Sequence, residues 1–306
     1  MPSEKLNILV AGLGAVGGYF GTLLALNKNL NVCFLSRGDT LKHFKSNRLF
    51  LKSYKGYELS FSPILSDNIV SFKRKFDYIF LCTKSKDTAS LVPQIKKVIK
   101  KSSQIISLQN GIYNHRLLTK SFGSKRTLQS ICKIGVEMDD KYIIRHSSLG
   151  FIQIGEMNGR LSGRIKNLYA ILKESGIDVR IVNNIKEEIW IKFAWNAIFN
   201  SLTGISSVTV DKLFRFRQTE DLIEKLYGEI KLIAESQGIR FGDMAYRKVI
   251  EDSKKLGAFK TSSFQDRLKN KVLETPYFTR ELLKLAEIQK IKTPLLQAIH
   301  ALSIAV

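Results

Sequence analysis

A continuous apolar run, Leu6–Ala11, ends in Gly12-Leu13-Gly14-Ala15-Val16-Gly17, and helical apolar spacing begins at Tyr19. No other feature restricts the fold of this chain so strongly. Apolarity without alternation marks a strand buried on both faces. The three glycines have separate tasks. The first permits a tight turn, the second lets the backbone approach a pyrophosphate, and the third lets a helix pack closely on the strand. The helix N-terminus then offers unpaired N–H groups and a partial positive charge to phosphates. A second short strand at 31–35 completes a βαβ unit. The sequence therefore predicts a dinucleotide site formed by Gly12, Leu13, Gly14, Ala15, Val16 and Gly17.

The end of the second strand separates two cofactors. An NAD site usually carries Asp or Glu there, accepting from the ribose hydroxyls. This chain has Ser36-Arg37, and the nearest acid, Asp39, lies beyond the strand end. A guanidinium clamps a 2′-phosphate bidentately, whereas a carboxylate repels it. Arg37 is also one of many arginines that solvent alone could explain. Its position favours NADPH.

Strand and helix patterns alternate up to about residue 183. Extended segments are expected at 49–61 with a turn at Lys55-Gly56, and at 76–82, 104–108, 128–136, 142–154 and 179–182. Helices are expected at 88–100 and at 161–175, the second closed by Gly176. From Ile185 onward every long segment has helical periodicity. Alternating units followed by a run of helices suggest two domains. The expected class is α/β: a Rossmann-type dinucleotide-binding domain over residues 1–184, then an all-helical domain over 185–306.

Residues 187–202 carry a second signal. Most of the segment is apolar, and Lys192, Asn196 and Asn200 interrupt it. Spacing of four residues keeps these on one helix face, drifting about 40° per step. Burying one unpaired amide costs about 1–3 kcal/mol, and an ammonium costs more. The stripe is either the wet side of the helix or the lining of a cleft. The repeated cost of burial favours the cleft, where a lysine can serve as a proton donor.

Composition excludes more than it assigns. The chain has 306 residues, enough for two ordinary domains. No apolar run reaches the roughly 18–20 residues a membrane span needs, and the N-terminus lacks the order of a signal peptide. Cys33, Cys82 and Cys132 lie far apart without a CxxC, and His43, His115, His146 and His300 lack metal-ligand spacing. The expectation is a cytoplasmic protein with reduced thiols and no metal. The net charge of +22 attracts anions, but its lysines are spread along the chain, which argues against a nucleic-acid site. The amphipathic run at 281–296 offers a face for a homodimer, and the oligomeric state stays open.

Several motifs in one order resemble the ketopantoate reductase (2-dehydropantoate 2-reductase) family over essentially the whole chain. They are GLGAVGG at 12–18, SRG at 36–38, TK at 83–84, QNG at 109–111, KFAWNAIFN at 192–200 and SSFQD at 262–266, with Glu274 eight residues beyond Asp266. The resemblance implies a Rossmann domain, a helical domain and an active site in the cleft between them. It implies NADPH-dependent reduction of 2-dehydropantoate to (R)-pantoate, on the way to pantothenate and coenzyme A. Lys192 matches the catalytic lysine and Glu274 the carboxylate of the substrate site. Asn110, Asn196, Asn200 and Ser262 match substrate-holding positions, with Asn110 also near the cofactor. Arg37 matches the 2′-phosphate position, and Lys84 a lysine beside the cofactor. One departure stands out: the family's asparagine-proline-leucine-threonine is Asn200-Ser201-Leu202-Thr203 here. Two rival readings are a reductase for a different 2-keto acid and a non-enzymatic NADP-binding regulator.

Overall fold

The computed structural model describes residues 4–240 and 242–305. The chain divides into two compact units. One comprises the described residues up to Gln109 together with Asn114–Ile185; the other comprises Asn110–Tyr113 and the described residues from Lys186 onward.

The first unit follows the order β1 (Leu6–Ala11), α1 (Ala15–Ala25), β2 (Leu30–Leu35), α2 (Gly38–Ser46), β3 (Leu49–Ser53), β4 (Glu58–Phe61) and β5 (Ile64–Ser66). It continues through β6 (Phe76–Leu81), α3 (Thr88–Lys96), β7 (Ile99–Ser107), α4 (Tyr113–Phe122), β8 (Thr127–Met138), β9 (Ile143–Gly155), α5 (Gly163–Glu174) and β10 (Asp178–Ile181). The strands form one mixed sheet in the order β4-β3-β9-β8-β7-β6-β1-β2-β5, with β10 beside β9. Strands β5, β2, β1, β6 and β7 run parallel, as a Rossmann-type sheet requires. The antiparallel pairs are β3 with β4 and β8 with β9.

Side chains alternate across β1 and so feed two cores. Ile8 and Val10 join Phe20, Leu24, Phe34, Leu168 and Leu172 under α1 and α5. Leu9 and Ala11 join Ile79, Leu81, Leu91, Ile95, Leu118 and Phe122 under α3 and α4. A strand buried on both faces has no polar side to show, which is why β1 reads as unbroken apolar sequence.

The helix expected at 88–100 stops at Lys96. Two tight turns, Lys97 N–H to Gln94 O and Val98 N–H to Ile95 O, swing the chain into the sheet, where Ile99 pairs with Phe76. Strand β7 therefore starts five residues before the apolar run at 104–108. Ser103 holds the polar stretch in place: its hydroxyl accepts from Lys100 N–H and donates to Phe76 O, both at 2.6 Å. Helices α2 and α4 and the short β5 are elements the sequence reading did not foresee.

The regular elements of the second unit are all helices among its described residues. Helix α6 (Ile185–Trp195) runs through one π turn (Asn196–Asn200) into α7 (Ser201–Ser206); α8 (Arg217–Ser236), α9 (Asp243–Lys254), α10 (Ser262–Leu268), α11 (Thr275–Ile288) and α12 (Pro294–Ile304) follow. Helix α8 buries Ile223, Leu226, Tyr227, Ile230, Ile233 and Ala234, one stripe at helical spacing. The amphipathic run at 281–296 is broken between α11 and α12, where Lys290 takes a φ of 55°. Glu229 of α8 accepts from the N–H groups of Leu295 and Leu296 at 3.0 and 2.8 Å, a carboxylate capping the positive end of α12.

Candidate functional site

One group of candidate residues lies at the carboxyl ends of β1, β2 and β6. Gly12 adopts a φ of 111°, and a Cβ there would lie 2.7 Å from Thr83 N. A Cβ at Gly17 would overlap the carbonyl oxygen of Gly12. Gly14 differs: a Cβ there meets nothing within 4 Å. It precedes α1, which has no side-chain cap and no acidic residue in its first turn. Unpaired N–H groups thus face open space beside an exposed glycine, which fits a dinucleotide pyrophosphate. Leu13 is buried and anchors the turn, while Ala15 and Val16 are half-buried at the helix start. Burial pushes the Cys82 thiol well above its ordinary range, so the side chain beside Gly17 is neutral packing material.

Arg37 follows β2 and is exposed; its Nη2 lies 2.7 Å from Oδ1 of Asp87. Lys84 is exposed just after β6, at the start of a short 3₁₀ turn, Ser85–Asp87. A buried polar network fixes this turn. Gln109 Nε2 donates to Thr83 O and Thr88 Oγ1, each at 2.8 Å, and Ser107 Oγ donates to Gln109 Oε1 at 3.0 Å. Thr88 Oγ1 donates to Asn114 Oδ1 at 2.8 Å, and Asn114 Nδ2 to Ser85 Oγ at 3.0 Å. Sequence reasoning missed Asp87, Gln109, Thr88 and Asn114. Gln109, at a strand end in QNG, was the visible hint; polar Asp87, Thr88 and Asn114 carry no local signal that they converge on this turn.

A separate group of candidate residues lies in the helical unit, which contains Asn110, Lys192, Asn196, Asn200, Ser262 and Glu274. Lys192 is half-buried, whereas Asn196 and Asn200 are 4% and 1% exposed. Asn200 Nδ2 donates to Asn196 Oδ1 at 3.3 Å. Asn196 Nδ2 and Asn200 Oδ1, one donor and one acceptor, then have no hydrogen-bond partner among the described residues. Buried amides seldom stay in that condition unless a ligand or water completes them. The π turn from Asn196 to Asn200 is the local cause of their alignment. It takes up an extra residue, so the forward drift of a regular helix is turned back between the two asparagines. Ser201 N–H closes the turn onto Ile198 O, a bond that the family's proline could not make.

Neighbouring elements support this stripe. Phe193, beside Lys192, meets Phe278 edge-on at 6.3 Å. A Cβ at Gly111 would sit 3.2 Å from Phe278 and 3.7 Å from Phe193, so Asn110 and Gly111 enter the unit next to the lysine helix. Thr203 Oγ1 and Thr261 Oγ1 lie 2.7 Å apart, and Thr261 caps α10, where Ser262 is the exposed first residue. Glu274 is half-buried at the N-cap of α11, followed by Thr275, whose buried hydroxyl has no partner among the described residues. Trp190 and Phe199 are buried, and Trp195 stacks on Phe199 at 5.2 Å, so these aromatics are core. No group of three or more His, Cys, Asp or Glu among the described residues could hold a metal ion. No helix among them is long and apolar enough to cross a membrane.

Known proteins resemble this chain in sequence and fold. The family model for ketopantoate reductase PanE/ApbA matches residues 8–159, and its C-terminal counterpart matches residues 184–306. A 2-dehydropantoate 2-reductase of Mesorhizobium japonicum is 25% identical, over 97% of this chain and 96% of its own. The crystal structure of 2-dehydropantoate 2-reductase from Geobacter metallireducens superposes with a TM-score of 0.89 at 24% identity, covering 98% of this chain and 99% of that one. A ternary structure of D-mandelate dehydrogenase with NADH and anilino(oxo)acetate gives 0.88 at 20% identity, covering 98% of each chain. With both halves matched in order, the chain belongs to the ketopantoate reductase PanE/ApbA family.

Proposed function

We propose that this protein reduces 2-dehydropantoate to (R)-pantoate with NADPH, a cytoplasmic step toward pantothenate and coenzyme A. The observation that carries this reading is the stripe of Lys192, Asn196 and Asn200, with one amide donor and one amide acceptor buried and unpartnered. A ketone flanked by a carboxylate and carrying a hydroxyl supplies the missing acceptor and donor. Family membership and the relative named 2-dehydropantoate 2-reductase support the same substrate.

On this reading residues 1–184 serve the cofactor and residues 185–306 the substrate. Gly12, Leu13, Gly14, Ala15, Val16 and Gly17 hold the pyrophosphate through backbone N–H groups, and Arg37 and Lys84 hold the adenosine end by charge. A bound nicotinamide supplies hydride to the ketone carbon. Lys192 donates a hydrogen bond to the ketone oxygen, stabilises its growing negative charge and delivers the proton. Asn110, Asn196, Asn200 and Ser262 orient the carboxylate and hydroxyl of the substrate. Glu274 accepts from the substrate hydroxyl or keeps Lys192 charged.

The test is NADPH oxidation with 2-dehydropantoate, followed by absorbance. Lys192→Ala lowers turnover by about 10²–10⁴ while NADPH still binds. Turnover that survives the substitution removes Lys192 from the mechanism. The D-mandelate dehydrogenase likeness favours a second reading, reduction of a different 2-keto acid. Ranking a panel of 2-keto acids by kcat/KM separates the two.

A further inference from the structure

The pair formed by Arg37 and Asp87 places both signs of charge where the cofactor's 2′ group belongs. Arg37 stands at the end of β2, and Asp87 lies just beyond β6. These are the two strands that flank β1 in the sheet. Their ion pair, 2.7 Å long, thus joins the two loops on either side of the glycine turn. The partners differ in exposure. The Arg37 side chain is 72% exposed, whereas Asp87 is 20% exposed on the turn held by Ser85, Thr88, Gln109 and Asn114. Asp87 also makes no side-chain capping bond to α3, so its carboxylate is not spent on the helix.

Dinucleotide enzymes that take NADH keep a carboxylate for the ribose 2′-hydroxyl at the end of the second strand. This chain has an arginine there and brings the carboxylate from the neighbouring loop. The geometry points to Asp87 as a specificity-determining residue that admits NADH beside NADPH, an inference that rests on the cofactor reading above. With NADH, Arg37 stays on Asp87 and the carboxylate accepts from the ribose 2′-hydroxyl. With NADPH, Arg37 turns to the 2′-phosphate, and the fixed carboxylate opposes that phosphate. Ordering one exposed arginine contributes little. Repulsion between a carboxylate and a doubly charged phosphate at short range outweighs it, so Asp87 narrows the preference for NADPH.

Calorimetric titration of the full chain with NADPH and with NADH tests this without turnover. The unaltered protein binds both. Asp87→Asn keeps the shape and removes the charge; it tightens NADPH about fivefold and weakens NADH about fivefold. Arg37→Ala weakens NADPH and leaves NADH nearly unchanged. If Asp87→Asn weakens NADPH, Asp87 only orients Arg37 and the inference is overturned. If it changes neither affinity, the pair is an inert surface contact and the inference is again overturned. If the unaltered protein binds neither nucleotide, the cofactor reading fails and takes the inference with it.

Discussion

The glycine turn and the lysine helix prepare for ligands by opposite means. Around Gly12–Gly17 side chains are absent and the backbone is left over: open space and unpaired N–H groups at the start of α1. In the helix through Lys192 the backbone is consumed by helical bonding and side-chain atoms are left over, Asn196 Nδ2 and Asn200 Oδ1. The turn costs little stability, because an exposed N–H group can be solvated. The buried amides do cost stability, because nothing replaces water around them. A phosphate can be held by generic backbone, whereas a small keto acid needs particular atoms in particular places.

The largest effects test the turn. Gly17→Ala forces a carbon onto Gly12 O and is expected to cost about 2–4 kcal/mol in denaturant unfolding. Gly14→Ala, facing open space, is expected to change stability by less than about 0.5 kcal/mol while weakening NADPH at least about tenfold. Equal destabilisation by the two would show that the space over Gly14 is not a ligand space.

Next in size is the double replacement Asn196→Leu with Asn200→Leu, which exchanges a half-satisfied amide pair for apolar groups of the same branched shape. It is expected to leave stability unchanged or raise it by about 1–2 kcal/mol while kcat/KM falls at least about 10²-fold. Destabilisation instead would mean that the Asn196–Asn200 pair holds the fold together and is not kept for a ligand.

The smallest effect compares histidines from the two units. Burial holds the imidazole of His146 below its ordinary pKa, and burial with Arg280 nearby does the same for His300. His146 Nε2 donates to Leu149 O at 3.1 Å, leaving Nδ1 to accept from Ser53 Oγ at 2.8 Å. His300 Nδ1 lies 2.7 Å from Thr279 Oγ1. Both folds therefore favour the neutral ring. Their contribution is complete above the unfolded pKa of about 6.5 and is lost as pH falls toward the depressed folded values. Tm is expected to drop from about pH 7.5 to about pH 5, and His146→Gln should flatten the first unit's share. A Tm that rises on acidification contradicts the buried neutral rings.

Local patterns carried much of the fold. β1, the glycine turn, α5 closed by Gly176 and the change to helices after Ile185 were all readable, because burial on a sheet or helix face leaves a period in the sequence. The end of α3 was not, because Val98 and Ile99 suit a helix face and a strand equally well, and pairing with Phe76 decided between them. At the site, the residue types and spacing of Lys192, Asn196 and Asn200 were visible. The network on Gln109 was not, since Ser85, Thr88 and Asn114 meet only in three dimensions.

The sequence by itself determined that a buried strand, a glycine turn and a helix begin this chain, and that a polar stripe interrupts an apolar helix. Both follow from local spacing, which any window of residues displays. Only the tertiary structure decided that Asn196 and Asn200 face each other across a π turn with two atoms to spare. It alone showed that Arg37, read from sequence as a lone phosphate clamp, is paired with Asp87 fifty residues later. Those facts depend on which distant groups share a neighbourhood, and one-dimensional spacing holds no record of that.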